Sequence, residues 1–170
     1  MVTLPWWVLL LIVAAVVIIV VVVVASSTAT RLNRMHIRTD LARTSLEAAL
    51  GRRAAVARAS YPQLSPVVAK AEALPITASE PFARADAENE LTRQLLALRD
   101  DDSIAEQLKI ELYDVHTRVE LARRFYNDAV SDTRALRDRP LVKFLRLAGT
   151  APIPEYFDIN SGIAREAKEN

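Results

Sequence analysis

WWVLLLIVAAVVIIVVVVVA, residues 6–25, decides the fold before any other stretch is read. These are twenty consecutive apolar residues, and no charged side chain occurs between Met1 and Thr30. At about 1.5 Å rise per residue, a helix of that length covers roughly 30 Å, the hydrocarbon thickness of a bilayer. The β-branched run from Val16 to Val24 would also suit a buried strand. Twenty residues are too many for one strand, however, and a helix in lipid satisfies every backbone group internally. One transmembrane helix, residues 6–25, is expected to anchor the chain.

The flanks orient it. A cleavable signal peptide opens on a basic segment and closes on a small-x-small site, whereas residues 1–5 carry no Lys or Arg and only Ala25-Ser26-Ser27 offers a weak site. Arg31, Arg34, Arg38 and Arg43 follow the apolar run, with no acid before Asp40. The positive-inside rule then puts residues 1–5 outside and the body from residue 26 in the cytoplasm, with Trp6 and Trp7 in the outer aromatic belt. Residues 26–158 form the body, and 159–170 read as a polar tail expected to be disordered.

Lys and Arg number 22 against 21 Asp and Glu, so the body has no bulk field that would draw nucleic acid. The juxtamembrane arginines could meet anionic lipid locally, although setting topology explains them more simply. With no cysteine, thiol catalysis, disulfides and thiolate metal sites are excluded. With three glycines, at 51, 149 and 162, there is no phosphate-cradling loop. The apolar span lacks a Gly-xxx-Gly dimer motif.

Helical periodicity runs through the body. Leu32, Met35, Thr39, Ala42, Leu46, Ala49, Arg53 and Val56 recur every three or four residues, a seam continuing straight from the span to about Ser60. Tyr61-Pro62 and Ser65-Pro66 interrupt it; Ser65 is placed as N-cap, with Pro66 opening a short helix to about Leu74. Pro75 to Pro81 is a second break, and Leu91, Leu95 and Leu98 mark a helix from Phe82 to near Asp100. Ser103 and Glu106 have capping-box spacing. Beyond them Leu112, Val115, Val119, Ala122, Tyr126, Ala129, Thr133 and Leu136 form the clearest seam, ending at Arg139-Pro140. The fold class expected is all-α: one transmembrane helix continuing into an antiparallel cytoplasmic bundle of long helices.

Glu88-Asn-Glu-Leu-Thr-Arg-Gln-Leu95, Ala122-Arg-Arg-Phe-Tyr-Asn-Asp-Ala-Val130 and Glu155-Tyr-Phe157 resemble the LemA family of bacterial membrane proteins, over about residues 8 to 158. The resemblance implies the bacterial inner membrane, a short outer N-terminus, one span and a helical cytoplasmic bundle, and it implies no chemistry. One departure is plain: Ala54-Ala-Val-Ala57 follows Arg52-Arg53 where the family carries an Asp-Leu-Ile-Pro-like segment.

The densest polar patch on a helix spans Arg123 to Asp128. Arg124 and Asp128 are spaced to pair, Arg123 and Asn127 form a second row, and Tyr126 stands on the seam. Glu88, Asn89 and Glu90 are the expected facing groups. The patch reads either as a partner-docking surface or as an interhelical polar network fixing register, the second being the simpler account. His36 and His116 lack the carboxylates and spacing of a metal site. No catalytic residue, cofactor or small-molecule substrate is expected. Leu141 to Ala148 is basic and amphipathic, as a membrane-surface segment would be. If residues 66–99 return toward the bilayer as one arm, though, the helix after Ser103 ends about 50 Å from lipid. The segment is then expected to cover the open end of the bundle with Ile153, Tyr156 and Phe157.

The function expected is a membrane-anchored scaffold or accessory interaction protein. Its partners would be the bilayer and either another membrane protein or a second copy. The alternative is a regulatory subunit passing a conformational change through the span.

Overall fold

A computed structural model describes residues 5–77, 81–98, 104–145 and 147–159. The protein is all-α, with no strand among the described residues. Helix α1 runs unbroken from Trp6 to Ser60, so the apolar run and the first seam belong to one rod. Its apolar part has a mean hydropathy of 3.8, with nothing in that window buried against the rest of the protein. Among the described residues, one helix is thus long and apolar enough to cross a membrane. Burial begins at Leu32 and continues through Thr39, Leu46, Leu50 and Arg53.

A 3-10 turn at Pro62–Leu64 leads into α2 (Ser65–Glu72), followed by α3 (Phe82–Ala97), α4 (Glu106–Arg137) and the short α5 (Pro140–Phe144). One expected cap is displaced. Ser65 is the first residue of α2, not its cap, and its hydroxyl donates to the Pro62 carbonyl at 2.7 Å. Helix α4 starts at Glu106 behind an extended Ala105 with no side-chain cap. Ser103 itself lies outside the described residues.

Cross-helix contacts give the directions. Arg38 meets Asp132 at 2.8 Å, the Thr39 and Thr133 hydroxyls lie 3.0 Å apart, and Arg52 meets Glu111 at 2.5 Å. Helix α4 therefore descends along α1 toward the apolar run. Helix α3 ascends beside α1: Arg53 bonds to Glu88 and Thr92, and farther on the Tyr61 hydroxyl donates to the Leu98 carbonyl. The reversal before α3 is made between α2 and α3, where Arg84 reaches the Leu74 carbonyl at 2.8 Å and Ile76 packs in one cluster with Ala85.

That extra reversal corrects the expectation for α5. The chain leaves the apolar end, returns, leaves again and returns, so α4 finishes beside Leu32 and not at the far end. Leu32, Leu136 and Val142 form one buried cluster, joined by Met35, Leu147 and Ala148. Gly149, at φ 58, supplies the left-handed turn that sends the chain back along α4.

The returning segment, residues 151–159, is extended and lies along α4 as a strap. Arg137 donates to the carbonyls of Ala151 and Pro152, and Arg134 to that of Pro154 at 2.8 Å. Phe157 and Ile159 sink into the main core with Leu46, Leu50, Val119, Tyr126 and Val130. Ile153 and Tyr156 are exposed, so of the three residues expected to close the bundle only Phe157 is buried. Burial of Ile159 also moves the edge of the body one residue past its expected limit; residues 160–170 lie outside the described set.

Candidate functional site

The seam of α1 places Arg53 where an apolar residue would normally stand. Its side chain is 1% exposed, and it is held from α3. One Nη donates to Thr92 Oγ1 at 3.1 Å and the other to the Glu88 carboxylate, which also accepts from Arg84 Nε at 2.8 Å. Two guanidiniums share one buried carboxylate, leaving the cluster with excess positive charge. Such a group is stable only while every member keeps its partner.

His116 of α4 lies next to this cluster. It is buried, and neither ring nitrogen has a hydrogen-bond partner; the Nε of Arg53 is likewise unpartnered. Burial pushes the His116 pKa below its ordinary value, the Arg53 charge lowers it further, and Glu120 opposes both. Arg53 and His116 line a cavity of about 280 Å³ whose other walls include Tyr61, Leu95 and Leu112. The arrangement is an apolar chamber with buried hydrogen-bonding groups at one wall.

A pH dependence follows. The folded state holds His116 neutral, while the unfolded chain takes up a proton near the ordinary histidine value of about 6.5. The folded protein therefore binds fewer protons, and stability should fall as the pH drops below about 6.5 toward the depressed folded value. Denaturant titrations across that range should show a steeper acid loss for the native chain than for His116→Leu. Parallel curves would mean that His116 is solvated.

The polar patch is divided by the fold. Glu88 faces Arg53 and Arg84, and Glu90 bonds to Arg93 and Gln94, all within the α1–α3 side of the body. Glu88 and Glu90 do not pair with Arg123 to Asp128 as expected, because their carboxylates are taken by Arg53 of α1 and by Arg84, Arg93 and Gln94 of α3 itself. Arg123 pairs with Glu120 at 2.9 Å instead of forming a row with Asn127. Arg124 and Asp128 are exposed, and no ion pair joins them among the described residues.

Asn127 and Tyr126 grip the strap. The Asn127 amide donates to the Phe157 carbonyl at 3.0 Å and accepts from the Phe157 N–H at 2.9 Å. The Tyr126 hydroxyl donates to the Glu155 carbonyl at 3.0 Å, and burial raises its pKa. Arg134 adds an ion pair to Glu155 at 2.5 Å and sits 5.1 Å over the Tyr156 ring. Both polar ends of the Asn127 side chain are thus used internally, as a structural network requires.

Sequence periodicity did not flag the outward face of α4. Ile110, Tyr113, Leu121 and Phe125 are all more than half exposed. With Thr117 between them, they recur every three or four residues on the side opposite Val115, Val119, Ala122 and Tyr126. A narrow search for one seam per helix passes over such a second stripe; counting both faces would have found it.

Among the described residues, no group of three or more His, Asp or Glu side chains could hold a metal ion. Arg31, Arg34, Arg38 and Arg43 all follow the apolar part of α1, interleaved with its first buried positions Leu32 and Thr39, and Trp6 and Trp7 stand exposed at its start. Comparison with protein-family models, curated proteins and solved structures gives no match.

Proposed function

We propose that this protein is a membrane-anchored scaffold of the LemA type, which presents the outer face of α4 to a helical protein partner in the cytoplasm. The observation that carries this reading is the exposed stripe Ile110, Tyr113, Leu121 and Phe125. An apolar stripe left uncovered on a packed helix, broken here only by Thr117, marks a surface that a partner covers. Lipid is a poor candidate for that cover. Arg52, level with Glu111 beside the stripe, lies about 40 Å along α1 beyond Ala25. A partner's amphipathic helix supplies matching anchors at the same spacing.

The positive-inside flank and the unbroken rod support the anchored geometry, with Trp6 to Ala25 as the span. The LemA resemblance gains physical sense as well, since two of the stretches that carry it, Ala122 to Val130 and Glu155 to Phe157, grip each other. In this reading the protein performs no catalysis, and its partner or a second copy is the working ligand.

Crosslinking in intact membranes, followed by mass spectrometry, tests the proposal. Crosslinks should join the α4 stripe to one recurrent protein, and Leu121→Asp with Phe125→Asp should abolish them while leaving the melting temperature unchanged. Recovery of lipid alone, or crosslinks unaffected by these substitutions, would reject it.

A further inference from the structure

Phe144 is 86% exposed, more than any other large apolar residue described, including those of the apolar run. Leu141, three residues before it on α5, is 40% exposed, while Val142 between them is buried against Leu32 and Leu136. One side of this short helix is therefore tied down and the other offers two apolar side chains. Leu32 lies about 10 Å along α1 past Ala25, and a headgroup layer adds about 5–7 Å to each face of the hydrocarbon core. Helix α4 arrives from the far end, and the strap departs toward it, so α5 sits at the turn nearest the apolar run.

The surroundings are basic. Arg31, Arg38 and Arg139 line a groove of about 330 Å³ between α1 and α4, with Met35, Asp132 and Leu136. Asp132 is taken by Arg38, and Asp138 pairs with Lys143 at 3.0 Å. Arg31, Arg34 and Arg139 have no carboxylate partner among the described residues. Two exposed apolar side chains beside unpaired guanidiniums match the boundary between acyl chains and anionic headgroups.

We propose that α5 is a lipid-contact site: Leu141 and Phe144 enter the leaflet from which α1 emerges, and Arg31, Arg34 and Arg139 hold its anionic headgroups. This rests on reading Trp6 to Ala25 as the span. The contact adds a second attachment to the bilayer, so α1 and α4 are both held at the membrane end and the body cannot swivel freely about one rod.

The full chain in nanodiscs, with or without phosphatidylglycerol in phosphatidylcholine, provides the test. Brominated acyl chains should quench Trp6 and Trp7, the only tryptophans, in both lipids. Amide exchange of residues 139–147 should slow when phosphatidylglycerol is present. Leu141→Ser with Phe144→Ser should lose that dependence, as should Arg31→Gln with Arg139→Gln, and far-UV circular dichroism should stay unchanged. Quenched tryptophans with lipid-independent exchange would overturn the lipid site alone. Unquenched tryptophans would overturn the span and the lipid site together.

Discussion

Glu88→Ala should destabilise the body by about 3–5 kcal/mol, the usual cost of removing one partner from a buried ion pair. The cause is charge left behind. Arg53 would keep only Thr92 and the Glu88 backbone carbonyl, and Arg84 only the Leu74 carbonyl, with both guanidiniums still out of water. Chemical denaturation of the detergent-solubilised chain, followed by circular dichroism, measures the loss. Replacing all three groups with apolar residues of similar volume should cost far less, since buried ion pairs rarely outperform good packing. If Glu88→Ala unfolds within about 1 kcal/mol of the native chain, as expected for exposed pairs, the cluster is hydrated and its charges are screened by water.

Phe157→Ala should cost about 3–5 kcal/mol, because it empties a fully buried aromatic site that α1, α4 and the strap share. Asn127→Leu should release the same strap more gently, since its two hydrogen bonds are each worth about 0.5–1.5 kcal/mol net. Limited proteolysis separates strap release from global unfolding. In both variants residues 151–159 should become cleavable under conditions where α4 stays protected. Equal protection in native and variant chains would show that the strap is held by something other than Asn127 and Phe157.

Much of this architecture was legible in the sequence, for one reason. Helical spacing reports which face of a segment is buried, and the seam from Val115 to Leu136 is buried at every position. Spacing says nothing about what the face is buried against. Arg53 was visible as a misfit on its seam, yet its carboxylate stands 35 positions away on a helix whose direction depended on one turn. Pro75 to Pro81 announced a break without revealing a reversal, and that single ambiguity put α5 at the wrong end. The strap escaped for a different reason: an extended segment bound through its own carbonyls carries no periodic pattern. Within the polar patch the residue types were informative, whereas their partners were set by contacts distant in sequence.

Between Trp6 and Ser60 no proline interrupts α1, and the helix passes from apolar run to core without a hinge. Such a beam converts angle into travel. Membrane helices lean by about 20° on average, and the lean changes with bilayer thickness. For the stretch from Ala25 to Ser60, a 20° lean carries the far tip roughly 18 Å sideways. In the proposed anchored reading, local bilayer thickness would thereby set how far from the anchor point the distal end can reach.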